Sequence, residues 1–162
     1  MAMCCASMTG QVVCTLYLTQ DRISEPTVIR GTLKGEGLKV GQKHAIAIHC
    51  YGEIDDIGPI FNPFGKRHGA PDDEERKVGN LGNIYVGNKA EDEIICNVHL
   101  VDKCVKLIGA QSVIGRSIAL YSEEDDFGHG GAELSLFNGD VGSCISCGII
   151  GIHCGINGLD QR

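Results

Sequence analysis

Six histidines and nine cysteines are the side chains of this sequence best equipped to hold a metal ion or exchange electrons. Imidazole and thiolate are the common protein ligands of zinc and copper. His49 and His68 are the two histidines that could contribute to a weak site, with Tyr121 or Cys50 nearby. Two histidines rarely hold a metal tightly, so they are expected to act as hydrogen-bonding residues. His44 is expected in the core or anchoring a loop. Cys144-Ile145-Ser146-Cys147 has the spacing of a redox dithiol. Such pairs act at helix N-termini, where the dipole stabilises the thiolate. This pair runs into a strand-like segment, where residues three apart face opposite sides, so no redox role is expected. Cysteines that are odd in number and sit inside apolar runs (Cys14, Cys96, Cys147) fit reduced thiols in a cytoplasmic protein better than a disulfide framework.

The elements that would carry these residues read as strands. Short β-branched runs alternate with Gly, Asp and Asn, which predicts strands near 2–8, 12–19, 26–33, 43–51, 82–87, 93–100, 113–121 and 145–153. Eight strands at this spacing make a sandwich or barrel, and no helical stripe stands out. Segments 52–80 and 122–143 are long and irregular, as functional or mobile loops are. In Ala45-Ile46-Ala47-Ile48-His49-Cys50, the isoleucines and Cys50 share the core face, which points Ala47 and His49 outward, toward whatever the long loops cover. A chain of 162 residues with 43% apolar residues suits one domain with a hydrophobic core, a barrel over 1–154 and a short tail over 155–162. No apolar run is long enough to span a membrane. The net charge of −7, with no basic cluster beyond Lys66-Arg67-His68, argues against nucleic acid as a partner.

Four groups of residues resemble one family. Phe61-Asn62-Pro63, followed by Lys66-Arg67-His68-Gly69-Ala70-Pro71, resembles the zinc loop of the copper/zinc superoxide dismutases. Asp73 to Asn83 resembles its continuation into the fifth strand. Ile114-Gly115-Arg116-Ser117 with Asp125-Asp126-Phe127-Gly128 resembles the seventh strand and the start of the active-channel loop. Gly142-Ser143 with Cys147 to Ile152 resembles the last strand. The motifs fall in the family's order and spacing, apart from a shortening in the arm of the zinc loop. The resemblance implies an all-β, eight-stranded Greek-key barrel, with a site on its outer wall beneath two long loops.

It also implies a ligand set that this sequence has largely replaced. In the family, copper is held by four histidines, one of which bridges to a zinc held by two more and an aspartate. The His-x-His pair of the fourth strand falls on Ala47 and His49, and the bridging histidine on Ile60. The other zinc histidines fall on His68 and Lys77, the zinc aspartate on Asn80, and the last copper histidine on Tyr121. Copper thus retains one of its four ligands (His49) and zinc one of its four (His68). The channel arginine falls on Cys144, the loop lysine on Phe137 and the following threonine on Asn138, in a loop carrying Glu123, Glu124, Asp125, Asp126, Glu133 and Asp140. An anionic substrate would be repelled there. The family's intrasubunit disulfide would use Cys147, but 52–60 holds no cysteine to pair with it.

The expectation is therefore a catalytically inactive, metal-free member, holding neither copper nor zinc, with no catalytic residues. It would act as a binding or regulatory partner through the family's dimer face, here Tyr51, Gly52, Ile114, Gly115, Ile149, Ile150 and Ile152. A homodimer, or a heterodimer with an authentic dismutase, is the implied assembly. With metal and disulfide lost, the long segments are expected to be less rigid than the barrel, with Arg76 and Asp125 as remaining anchors. The alternative is a divergent dismutase, or a copper-chaperone-like protein with weak metal binding, although the chaperones' Met-x-Cys-x-x-Cys and Cys-x-Cys motifs are both absent.

Overall fold

A computed structural model describes residues 1–87, 89–90 and 93–153; Cys154 and the tail 155–162 lie outside the described residues. Eight strands of five residues or more form the wall: β1 (Ala2–Gly10), β2 (Cys14–Gln20), β3 (Thr27–Lys34), β4 (Lys43–His49), β5 (Asn80–Tyr85), β7 (Glu93–Asp102), β8 (Ser117–Tyr121) and β9 (Cys144–Ile149). Two-residue pieces, β6 (Lys89–Ala90) and β10 (Gly151–Ile152), pair with β7 and β1. The strands run β5-β4-β8-β9-β1-β2-β3-β7, each antiparallel to its neighbours. β5 and β7 meet where the barrel nearly closes, and the Cys96 thiol donates to Tyr85 O across that seam at 3.3 Å. The all-β, eight-stranded antiparallel barrel matches the expected fold.

Period-2 alternation explains why these residues form strands. Leu16 and Leu18, Ile46 and Ile48, and Ile118 and Leu120 point inward and are fully buried. Each such side chain contributes roughly 1.5–3 kcal/mol by leaving water. Ala47 and His49 point the other way, as alternation requires, yet they too are buried, because the loops 50–79 and 122–143 lie over this wall.

Three departures from the expected elements bear on the site. β8 begins at Ser117 rather than 113, because Gly115 turns the chain with φ 82°. A helix, α1 (Glu133–Asn138), lies within the second long loop; six residues are too few to show a stripe. The last strand is interrupted at Ile150, whose N–H donates to Arg116 O at 2.8 Å while its carbonyl accepts from Gly115 N at 2.7 Å.

Arg76 ties the first loop to the barrel. Its guanidinium donates to Asp102 Oδ2 at 2.8 Å, Pro71 O at 2.9 Å, Val78 O at 2.8 Å and Lys77 O at 3.1 Å, all at 5% exposure. Asp102 in turn accepts from the backbone N–H of Cys104 and Val105. Both anchors expected from the sequence, Arg76 here and Asp125 below, carry hydrogen bonds.

Candidate functional site

The outer wall of β4, β8 and β9 brings most of the sequence-predicted residues together. On it, Ala47 pairs with Ala119 and His49 with Ser117. His49 Nδ1–H donates to Gly58 O at 2.7 Å, so its Nε2 is the acceptor and takes the hydroxyl hydrogen of Tyr121 at 2.5 Å. Burial pushes the His49 pKa down, with Lys77 adding to the effect and the Gly58 carbonyl opposing it. The ring is therefore neutral, in one tautomer. Burial pushes the Tyr121 phenol well above its ordinary range, with Cys144 and Cys147 adding to it, so it remains a donor. Ile60 forms an isolated bridge with His49 and brings its side chain to the same wall.

His68 and Asn80 sit beside this pair but under the loops. His68 Nε2–H donates to Asp125 Oδ1 at 2.7 Å, and both side chains are buried. Asp125 Oδ1 also accepts from Phe127 N, while the Asp125 backbone exchanges two hydrogen bonds with the Asn83 amide. Gly139, in the left-handed region at φ 80°, ends α1 against this pair, and a Cβ there would overlap the Asp125 carboxylate. Asn80 Nδ2 donates to Gly69 O at 3.3 Å. Two buried polar atoms, His68 Nδ1 and Asn80 Oδ1, have no hydrogen-bond partner.

Lys77 spans the two loops. Its ammonium donates to Phe137 O at 2.8 Å and lies 5.1 Å from the Phe137 ring centroid. Burial lowers its pKa, and Asp125 partly offsets that. Phe137 and Gly58 act through backbone carbonyls, which carry no sequence signal, and sequence reasoning did not assign them these roles. The acidic loop is partly neutralised: Glu123 and Glu124 lie 3.7 and 3.8 Å from Lys39 and Lys43, and Asp126 accepts from Ser135 Oγ and Gly128 N. His44, fully buried, ties the turn before β4 to the end of β8. Its Nε2 accepts from Lys39 N at 3.2 Å, so Nδ1–H donates to Tyr121 O at 2.9 Å.

The positions assigned by resemblance to metal ligands thus present two imidazole rings, one amide, one ammonium, one phenol and two alkyl groups. Among the described residues, no group of three or more His, Cys, Asp or Glu side chains is placed to hold a metal ion. Among the described residues, the buried side-chain nitrogen and oxygen atoms without a partner are His68 Nδ1 and Asn80 Oδ1, and a dication needs more than one ring nitrogen and one amide oxygen. This donor set does not fit copper or zinc.

The cysteine pair is where a local irregularity overrides alternation. Tyr121 pairs with Cys144 and Leu120 with Ser146, so Ile145 is an extra residue, a β-bulge. Ile145 and Ser146 both face inward and are buried, which leaves Cys144 and Cys147 on the same outer face, not on opposite faces. All eight described cysteines are free thiols. Although Cys144 is exposed, partial desolvation against the wall and the neighbouring Cys147 push its pKa up to about 11. Its thiolate fraction at pH 7 is then about 10⁻⁴, so alkylation by iodoacetamide is expected to rise about tenfold per pH unit up to pH 10. Mass spectrometry against the exposed Cys104 measures this; a plateau at pH 8–9 would contradict it.

The expected interface residues lie at one end of this wall, where Ile149 of β9 pairs with Ser117, the partner of His49. Tyr51, Ile114, Ile149 and Ile152 are exposed, and Gly52 lies so close to Gly115 that a Cβ would overlap the Gly115 carbonyl. Ile150 is the exception: it is fully buried, because adjacent residues alternate faces and its backbone is held by Arg116 and Gly115.

The comparison with known families agrees with this geometry: the family described as copper/zinc superoxide dismutase (SODC) matches residues 12–150.

Proposed function

The chain belongs to the copper/zinc superoxide dismutase family, and we propose that within it this protein is a metal-free, non-dismutating partner protein that works through the dimer face. One observation carries the reading. At the retained copper position, the imidazole nitrogen left to bind a metal, His49 Nε2, already accepts the Tyr121 hydroxyl. Dismutation requires a metal that superoxide alternately reduces and oxidises. Neither the phenol nor the alkyl groups of Ala47 and Ile60 supply the ligands such a metal needs. At the zinc positions, the Lys77 ammonium adds positive charge and Asn80 offers a neutral amide in place of a carboxylate, so a dication is disfavoured twice. The proposed partner is a second copy or an authentic dismutase subunit, and the compartment is the cytoplasm.

A second reading has one observation in its favour. The unpartnered His68 Nδ1 and Asn80 Oδ1 would suit a weakly held ion. Protein expressed with added copper and zinc separates the two. Elemental analysis is expected to find well under one metal per chain, and dismutase activity no higher than that of the free metal. Ala47→His alone is expected to change neither. About one zinc per chain would overturn the metal-free reading.

A further inference from the structure

We propose that the cavity in the outer wall is a binding site for a small organic monocarboxylate with an apolar body. The cavity holds about 410 Å³, within the range of small-molecule sites. Ala47, Ile60 and Val141 supply apolar lining, and Lys77, Asn138 and Asn62 supply the donors.

The ligand class follows from which lining groups are already committed. Tyr121 gives its hydroxyl hydrogen to His49, and His49 gives its ring N–H to Gly58 O. That part of the wall is uncharged, with no hydrogen left to donate. The Asp125 carboxylate also lines the cavity; it accepts from His68 and Phe127 through Oδ1 alone, and its charge is offset by the Lys77 ammonium on which it acts. Lys77 has three N–H groups, of which one goes to Phe137 O. Asn138 Oδ1 accepts from Asp140 N at 3.0 Å, which leaves its Nδ2 as a donor. Among the described lining side chains, the Lys77 ammonium and the amides of Asn138 and Asn62, the last with one N–H given to Lys66 O, thus remain as donors beside an apolar wall. A carboxylate matches these donors, and a hydrocarbon body matches Ala47, Ile60 and Val141. The nearby Glu123 and Glu124 are balanced by Lys39 and Lys43, which reduces their repulsion of an anion. Half-burial already costs Lys77 part of its hydration, and a bound carboxylate would compensate for that loss.

The inference rests on the metal-free reading, so the test measures metal content on the same sample. Phenylacetate and its neutral isostere phenylacetamide are titrated into the full-length protein and followed by backbone amide NMR. Phenylacetate is expected to give saturable shifts at Ile60 and Val141 and to bind at least about tenfold tighter than phenylacetamide. Lys77→Met is expected to erase that preference. Ala47→Phe, which fills the cavity and leaves the Lys77 ammonium in place, is expected to abolish binding of both. Equal binding of the two probes, an unchanged preference in Lys77→Met, or no saturation in metal-free protein overturns the proposal. Stoichiometric metal in the sample instead overturns the reading beneath it.

Discussion

Arg76→Met is expected to destabilise the fold by about 3–5 kcal/mol, the usual cost of removing one partner of a buried ion pair. The side chain makes four hydrogen bonds at 5% exposure and meets Asp102, which is equally buried. Removing the guanidinium leaves the Asp102 carboxylate with only its backbone donors and takes a donor from three carbonyls. Methionine refills much of the volume, so the loss reports on charge and hydrogen bonding rather than on a void. For a chain of this size, the midpoint of thermal unfolding should fall by roughly 10 °C. Lys66→Met is the control: Lys66 pairs with the solvent-exposed Glu75 at 3.2 Å, and its midpoint should not move. Comparable midpoints for the two variants would refute the assignment of Arg76 as the main tie of the first loop.

Ile152→Asp and Ile114→Asp are each expected to weaken self-association by roughly a hundredfold, the scale of a central apolar contact. Tyr51, Ile114, Ile149 and Ile152 are 50%, 36%, 41% and 75% exposed on one side of the barrel. A two-fold axis uses such a patch on both subunits, so each substitution introduces two carboxylates facing one another. The arm that carries Tyr51 has no disulfide to hold it, yet it is well braced. Ser117 Oγ donates to Tyr51 O at 2.6 Å, Arg116 Nη1 donates to Cys50 O at 3.0 Å, and the Arg116 guanidinium lies 3.8 Å from the Phe61 ring centroid. The patch is therefore preformed, which lowers the ordering cost of pairing. Sedimentation at micromolar concentration decides the matter. A wild-type monomer, or a dimer indifferent to both substitutions, would remove this face from consideration.

The strands and the identity of the wall residues were readable because buried and more exposed residues alternate in β2, and small and large apolar residues alternate in Ala45-Ile46-Ala47-Ile48 of β4. His44, Arg76 and Asp125 were readable as anchors, although their acceptors and donors were not, since most of those are backbone groups. Alternation failed at Ile145, where one inserted residue brought Cys144 and Cys147 to the same face. It was also set aside at Ile150: no alternating run exposes both that residue and Ile149, and the structure buries Ile150. The place of the cavity, on the outer wall beneath the long loops, followed from the resemblance, but its lining did not, because it depends on how loops 50–79 and 122–143 close over Ala47 and Ile60.

The hydrogen bond between Tyr121 and His49 bears on how this wall could change by mutation. Each group satisfies the other in a buried setting, so Tyr121→His would first strip His49 of its donor and set two rings side by side. Ala47→His would bring a third ring into a cavity where the Lys77 ammonium remains. Neither step alone assembles enough ligands for a metal, and Tyr121→His loses an existing contact as well. On the proposed metal-free reading, a metal site at this wall would therefore require several changes made together.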